Sequence, residues 1–478
     1  MNKIVLYGAG KRCVDLCKIL KYSNIQVEVI VDSNELKWGQ VIEGIKVESP
    51  RVLQDLIEVN ICITVLNEAV VNQIRQSLKM IGEYREISYI GLLLQGFLGI
   101  EFEKSVYEVV RQSDKNNVVL FDSYNGLCLG GVEEWTKDIC KELISKAKHE
   151  VFIISKKGDF EIPFELQDKI LFFEDVFHER YAIKLIAEII SAIVQKLPCK
   201  VVISSIDEVL VATSLIKNRY PDLIDIIAVI HNSTEFMYAS YMEFQNYIDM
   251  YIGVSQDIKA EMMKRGIEES RIKTMTCPFP CEKDLRRSYT LDKKEPIHIG
   301  YAGRMDGFKH SQKRMDLLLK LIEVLEERKV NFVMELAGDG PVRITMEEKI
   351  EANGLAEKVK FLGKIERTEI PSFWKRQDIC VNIADYEGRS ISIIEAMGNG
   401  AVPVVTKVSG TQEDIADGIN GYLIPLQDYK EMADKIQYLA EHRERLVQMG
   451  QLAHDMIYPK SMMSEHLKFW EEDVILKV

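Results

Sequence analysis

The chain has 478 residues, of which 47% are hydrophobic and 28% charged; that length predicts about three domains, and that composition a soluble globular protein. Lys and Arg total 61 against 74 Asp and Glu, a net charge of −13 that argues against nucleic acid as a main partner. Its nine cysteines lack the paired spacing of a zinc site, so a reduced, cytoplasmic chain without a metal centre is expected.

The chain runs directly into I-V-L-Y-G-A-G, and no signal peptide is expected. Ile4–Tyr7 predicts a strand, Gly8-Ala9-Gly10 a tight turn, and Arg12–Lys21 a helix. Val27–Val31 predicts the next strand, ending at Asp32. A βαβ unit with a glycine turn and an acid about twenty residues on is the outline of a dinucleotide site, with Gly8, Gly10 and Asp32 as its candidate residues. Cys13 stands where the third glycine of that fingerprint would be, which weakens the case. The following stretch, Asp32–Val47, resembles the N-terminal Rossmann-like domains of sugar-modifying enzymes in bacterial surface glycan pathways. An accessory binding or docking domain and a scaffold with an empty loop both remain open for residues 1–110. Ile61–Leu66 predicts a strand, Glu68–Ile81 a helix, and Gly91–Ser105 the connection onward. The longest apolar stretch, Tyr89–Ile100, is interrupted by glycines and too short to span a bilayer.

Residues 115–285 predict a second α/β unit. Val118–Phe121 is a strand leading into a glycine-bearing loop with Gly130-Gly131, and helical periodicity starts at Glu133. A strand, a glycine loop and a helix start make a phosphate-sized anion site. Strands recur at Val151–Ile154, Ile170–Phe173, Val201–Ser204, Ile226–Ile230 and Ile252–Val254. This alternation implies a parallel sheet covered on both faces, with ligands at the strands' carboxyl ends. His231 stands at one such end.

Asp284–Pro296 is charged and aperiodic and predicts an interdomain linker. A strand from Ile297 runs into Gly303-Arg304, and a helix opens near Gln312-Lys313, with Lys309 a rival cation. Phe332–Ala337 ends in Gly338-Asp339-Gly340-Pro341, and Val359–Leu362 in Gly363-Lys364-Ile365. Ile379–Ala384 leads into D-Y-E-G-R-S-I-S-I-I-E-A-M-G-N-G-A-V-P-V-V, Asp385–Val405. This reads as loop, helix, turn and strand. Glu387 and Gly388 lie in the loop, the helix opens at Ser390-Ile391, and Glu395 falls about 7–8 Å further along. A helix start attracts anions. A nucleoside-diphosphate sugar could span the motif, with its diphosphate at the helix start, its sugar toward Glu387 and its ribose on Glu395.

The E-x7-E spacing, followed by A-M-x-x-G-x-x-P-V-V, resembles the donor-site signature of glycosyltransferase family 4, retaining enzymes of the GT-B fold. The resemblance runs from near residue 115 to the end. It implies an α/β architecture of two Rossmann-like domains, 115–285 on the acceptor side and 296–460 for the donor, preceded by the third unit at 1–110. A last helix at 461–478 (Ser461–Ile475 carries the periodicity) would cross back to the first half. It further implies Arg304 and Lys313 on the donor diphosphate, His231 beside the donor sugar, and Glu387 as the carboxylate at the reacting centre. Donor contacts would come from Gly130, Gly131, Gly303, Gly338, Gly340, Gly363, Lys364, Ile365, Gly388, Arg389, Ser390, Ile391 and Glu395. Asp385, Tyr386 and Arg389 depart from the family's usual residues, which leaves the sugar open. The expected reaction is sugar transfer from a nucleoside-diphosphate sugar, UDP-sugars favoured, to a glycan, lipid-linked or protein-linked acceptor, with no cofactor required. A non-catalytic subunit, a nucleotide-sugar sensor, and phosphorolysis or epimerisation on the same fold stay as alternatives. Peripheral contact with the inner face of the plasma membrane and a homo-oligomer through the N-terminal domain are left open.

Overall fold

The computed structural model describes residues 3–21, 23–56, 59–82, 84–97, 117–123, 126–127, 130–146, 148–158, 162–173, 179–206, 208–275, 277–279 and 281–476. The chain divides into two compact units: residues up to Val229 with Thr234–Tyr251, and Ile230–Ser233 with Ile252 onward. Three sheets carry the architecture, and every parallel pair within them is joined through a crossover, the pattern of alternating strands and helices.

The first sheet is built from β1 (Lys3–Tyr7), α1 (Lys11–Leu20), β2 (Val27–Val31), β3 (Val41–Ile42), β4 (Ile45–Glu48), β5 (Val59–Ile63), α2 (Glu68–Ile81), β6 (Arg85–Glu86) and α3 (Tyr89–Gln95). Its order is β3-β4-β2-β1-β5-β6, parallel except for the β3–β4 hairpin. Two expectations shift. The strand predicted at Ile61–Leu66 is β5 and ends at Ile63, because Thr64 turns its hydroxyl onto the carbonyl of Gly8 at 2.5 Å. Tyr89–Gln95, most of it predicted as connection, is a helix: Ser88 Oγ accepts from the N–H of Gly91 at 2.9 Å, and Ile90, Leu92, Leu93 and Leu94 are buried. The rest of that predicted connection, residues 98–105, lies outside the described residues.

The second sheet follows with β7 (Val118–Ser123), α4 (Gly131–Ser145), β8 (Glu150–Lys156), β9 (Ile170–Phe173), α5 (Glu179–Val194), β10 (Cys199–Ile203), α6 (Glu208–Arg219), β11 (Ile224–Ile230), α7 (Glu235–Glu243), β12 (Met250–Gly253), α8 (Gln256–Lys264) and β13 (Ile272–Thr274). The strand order is β13-β12-β11-β10-β7-β8-β9. β7 and β10 are buried along their whole length, as strands covered on both faces must be.

The third sheet contains β14 (Ile297–Ala302), α9 (Met315–Glu327), β15 (Phe332–Ala337), α10 (Arg343–Ala352), β16 (Val359–Gly363), α11 (Ile370–Lys375), β17 (Ile379–Asn382), α12 (Ile391–Gly398), β18 (Val402–Thr406), α13 (Thr411–Asp414) and β19 (Tyr422–Ile424). Its order is β16-β15-β14-β17-β18-β19, all parallel. From β14 the chain steps outward to β15, and from β17 it steps the other way to β18, so the direction reverses between β14 and β17. Ligands of open α/β sheets bind at such a switch point, beyond the carboxyl ends of the strands. Two apolar clusters hold this sheet: one runs from Ile299 and Met315 to Ile424 and Met449, the other from Phe373 and Trp374 to Met397 and Ile457. On α12, Ile393, Ile394, Ala396 and Met397 are all buried; each large side chain contributes about 1.5–3 kcal/mol.

The predicted linker is strapped to this unit. Arg287 donates to the carbonyls of Gln377 (2.8 Å) and Asn399 (3.2 Å), Tyr289 Oη donates to that of Gly400 at 2.9 Å, and Arg443 donates to those of Thr290 and Glu295. After α14 (Tyr429–Glu441) and α15 (Glu444–Ile457), the final predicted helix is α16 (Met463–Phe469), which widens into a π-helical turn over Trp470–Ile475. Both lie in the second unit. Among the described residues, no helix is long and apolar enough to cross a membrane.

Candidate functional site

The site is built at the β14/β17 switch point by two loops, residues 303–314 after β14 and 383–390 after β17. Backbone and side-chain bonds dock them together. The N–H of Asp385 donates to the carbonyl of Gln312 at 3.0 Å, and Gln312 Nε2 donates to the carbonyl of Tyr386 at 3.1 Å. Glu387 is buried, and both of its oxygens are engaged: Oε1 in an ion pair with Lys313 Nζ, Oε2 accepting from Gln312 Nε2 at 3.2 Å. A carboxylate so deeply placed needs partners of this kind. Arg304 is exposed beside them, its Nη2 donating to Gln312 Oε1 at 3.3 Å. Lys309, the rival cation, is exposed on the loop between.

Lys313 does not open the helix as expected. The helix starts at Met315, because Arg314 takes a left-handed backbone (φ 47°) that breaks the helical run. Arg314 is fixed there by Asp316 (3.0 Å) and by Asp385 (2.8 Å). Those hydrogen bonds hold its guanidinium proton well above the usual arginine range, Asp316 contributing most. Asp385, one of the residues that depart from the pattern of the resemblance, is thus engaged in an ion pair behind the site.

Beyond the loop, α12 opens at Ser390-Ile391 without a side-chain cap on its first N–H groups. Glu395 sits further along the helix, 5% exposed within an apolar run, and Arg367 Nη1 lies 3.2 Å from its Oε1. The carboxylates singled out by sequence spacing are thus each held by a cation. Of those cations, Arg367 carried no sequence signal: it lies at a 3₁₀ turn, far in sequence from its partner.

The glycines are explained by how closely the loops cross. A Cβ on Gly338 (φ +131°) would collide with the carbonyl of Gly303, and one on Gly340 (φ +159°) with that of Met305. Gly338 N–H donates to the carbonyl of Gly363 at 2.7 Å, and Gly303 N–H to that of Ala337 at 3.0 Å, so these glycines form one backbone lattice under the site. Lys364 is exposed, and Ile365 packs on the apolar cluster beneath α12. Gly388 is pressed against the carbonyl of His231, and Ser233 Oγ donates to the carbonyl of Glu387 at 2.9 Å. His231 thereby lies beside the Glu387 loop, and burial pushes its imidazole down to about 4, so it is neutral at physiological pH. Arg389 is placed in a buried ion pair with Asp414 (2.5 Å) and also donates to the carbonyl of Val254 at 3.4 Å.

The remaining candidates lie in the first unit. Gly130 caps α4 and Gly131 is its first residue, and the carboxylate of Glu133 folds back over Gly130, where a Cβ would strike it. Asn125, Cys128 and Leu129 of the same predicted loop lie outside the described residues. Asp32 turns inward: it accepts from the N–H of Ala9 (2.6 Å), the N–H of Asn34 (2.8 Å) and Lys37 Nζ (2.9 Å). Burial would raise this carboxyl, but those donors outweigh it and hold it below the usual range. The acid that the dinucleotide outline assigns to a ribose is therefore tied to the glycine turn itself, between Gly8 and Gly10. Among the described residues, no group of three or more His, Cys, Asp or Glu is placed to hold a metal ion.

Residues 282–456 match the family model described as Glycosyl transferases group 1, and residues 1–87 match one described as C2185-like, N-terminal. Among curated proteins, the alpha-D-kanosaminyltransferase of Streptomyces kanamyceticus is 30% identical over 181 residues, 38% of this chain and 45% of that protein. The poly(ribitol-phosphate) alpha-N-acetylglucosaminyltransferase of Staphylococcus aureus is 28% identical over 173 residues, 36% of this chain and 34% of that protein. The chain thus spans less than half the length of either relative. Among solved structures, Anabaena HepE in complex with UDP-glucose aligns with a TM-score of 0.61 at 17% identity, covering 75% of this chain and 99% of that one. S. aureus TarM, solved as a mutant with Fondaparinux, alpha-GlcNAc-glycerol and UDP, aligns with a TM-score of 0.60 at 14% identity over 75% of this chain and all of that one. The chain has the fold of the GT-B glycosyltransferases, with an additional N-terminal sheet, and its second unit carries the stretch that matches glycosyl transferases group 1.

Proposed function

We propose that this protein is a retaining glycosyltransferase of family 4, moving a sugar from a nucleoside-diphosphate sugar, UDP-sugars favoured, to a glycan or glycoconjugate acceptor. The observation that carries this reading is the placing of two carboxylates and their cations along one loop and helix at the switch point: Glu387 with Lys313 and Gln312, then the open start of α12, then Glu395 with Arg367. The diphosphate would lie at Ser390-Ile391, where helix N–H groups and the positive end of the dipole favour anions, with Arg304 and Lys313 adding charge. Diphosphate competes with Glu387 for Lys313. Its arrival would free one oxygen of Glu387 for the donor sugar, while Glu395 would take the ribose hydroxyls.

Transfer would proceed on one face of the sugar. The bond from the anomeric carbon to the diphosphate oxygen breaks, the acceptor hydroxyl bonds to the same face, and its proton passes to the leaving phosphate. Arg304, Lys313 and the helix start stabilise the charge that grows on the diphosphate. Glu387 stabilises positive charge at the anomeric carbon. UDP in the HepE and TarM complexes supports the choice of base, and the transferase names of the curated relatives support glycan or glycoconjugate chemistry, in keeping with bacterial surface polysaccharide synthesis at the inner face of the membrane. Residues 1–110 serve as an accessory domain, 115–285 as the acceptor half, 296–460 as the donor half and 461–478 as the closing helix. The test is incubation with UDP-sugars and GDP-mannose, with UDP or GDP release and the anomeric configuration of the product read by NMR. Release from one donor with an α-configured product is expected; no release from any, or an inverted product, overturns the reading.

A further inference from the structure

We infer that Gln312 is a positioning residue of this site, a neutral spacer that keeps Arg304 and Glu387 apart while bonding both. The inference rests on the transfer reading above. The carboxamide has one acceptor end and one donor end. Its Oε1 accepts from Arg304 Nη2 at 3.3 Å; its Nε2 donates to Glu387 Oε2 at 3.2 Å and to the carbonyl of Tyr386 at 3.1 Å. The backbone of the same residue accepts from the N–H of Asp385 at 3.0 Å. Two positions on, Arg314 is clamped between Asp316 and Asp385, which fixes the backbone from which Gln312 projects.

An arginine and a carboxylate this close to a common partner would otherwise reach for each other. A direct pair is charge-assisted and often bidentate. It would turn the guanidinium away from a leaving diphosphate and neutralise the carboxylate needed at the anomeric carbon. An amide between them satisfies both without carrying charge. The two oxygens of Glu387 then have different fates. Oε1 is held by Lys313, which an arriving diphosphate can draw off; Oε2 is held by neutral Gln312, which has no such rival. Gln312 is the contact that stays through the reaction and sets where the carboxylate points. The charged groups around it are Arg304, Lys313 and Glu387, with Asp306 accepting from the N–H of Lys313 and the Asp385–Arg314 pair behind.

The test is Gln312→Glu alongside Gln312→Ala in the full chain, with UDP release from UDP-glucose, UDP-galactose and UDP-N-acetylglucosamine measured from about pH 5.5 to 8, and UDP affinity by calorimetry. Misplacing a reacting group by about 1 Å can cost about 10²-fold. At the upper pH, Gln312→Glu is expected to lower kcat about 30- to 100-fold with UDP affinity within about threefold, because an ionised carboxylate cannot donate to Glu387. As pH falls, a proton shared by the two carboxyls restores one donor, and the deficit relative to the unaltered protein narrows. Gln312→Ala is expected to lower kcat about tenfold at every pH, with no recovery. If Gln312→Glu turns over normally at the upper pH, or if its deficit is as flat with pH as that of Gln312→Ala, the inference is overturned while the transfer reading stands. If the unaltered protein turns over GDP-mannose and not these three donors, the same comparison is read on GDP release; if it releases nucleotide from none of the four, both fall together.

Discussion

The first and third sheets have the same kind of switch point, and the chain treats them differently. Between β1 and β5, the glycine turn is filled from within. Thr64 and Val65 press on Gly8, Asp32 accepts from the backbone N–H groups of Ala9 and Asn34 as well as from Lys37 Nζ, and Arg12 at the helix start pairs with Glu243 at 2.5 Å and stacks on Tyr89 at 3.8 Å. Between β14 and β17, the carboxylates are held by side chains, Lys313 and Gln312 on Glu387 and Arg367 on Glu395, and the glycine turn beside them does not supply the bonds that the turn at Ala9 gives Asp32. A backbone N–H cannot leave its partner without unfolding the turn, whereas a lysine can change partners when a stronger anion arrives. A glycine turn followed by an acid can therefore be scaffold or site, and what decides is whether backbone N–H groups of the turn tie the acid down.

The largest effect is expected at the third sheet. Lys313→Ala and Arg304→Ala should each lower turnover about 10²- to 10³-fold, the usual loss when one group stabilising a developing charge is removed; steady-state UDP release checks this, and near-normal turnover in either would take that residue out of the site. Next is His231, whose ring is neutral because burial pushes its value from 6.5 to about 4. A folded value below the unfolded one means that the unfolded chain takes up the proton first. Stability is then intact above about pH 6.5 and falls as pH drops toward 4, by on the order of 3 kcal/mol. His231→Gln should flatten that part of the pH–stability curve measured by urea unfolding, and an unchanged slope would contradict the burial argument. The smallest effect is expected at the first sheet. Asp32→Asn should cost about 1–3 kcal/mol of stability through its lost charge-assisted bonds and leave UDP affinity unchanged. A drop in UDP affinity with intact folding would return the glycine turn to the list of sites.

The sequence carries the architecture well because the central strands here are short apolar runs set off by glycines or charges, and parallel strands buried on both faces leave that trace; the edge strand Arg85–Glu86, exposed and charged, leaves none. The central motif is equally plain: Glu387 and Glu395 are separated by a helix start, Glu387 in the loop before α12 and Glu395 within the helix. Partners in three dimensions were not legible. Arg367 and Gln312 have no period or spacing relative to the glutamates they hold; only the fold brings them there. The start of α9 was misplaced because Arg314 pays no visible local penalty in sequence for a left-handed backbone that Asp316 and Asp385 stabilise from outside. The contacts of the segment predicted as a linker, Arg287 to Gln377 and Asn399 and Tyr289 to Gly400, run through backbone carbonyls that composition does not reveal. At Gly338 and Gly340, which the resemblance assigns to donor contacts, a Cβ would also meet the neighbouring loop at Gly303 and Met305, a crossing that the sequence does not reveal.

The central claim is that the nucleotide binds on α12 and not at the N-terminal turn. Thermal unfolding of the full chain with UDP, GDP, ADP, CMP and NAD(H), repeated for Glu395→Ala, tests it directly, because a ligand that binds only the folded state raises the melting temperature by mass action. A rise with UDP that Glu395→Ala abolishes is expected, and none with NAD(H). A rise with NAD(H) alone, or a UDP shift that survives Glu395→Ala, would contradict it.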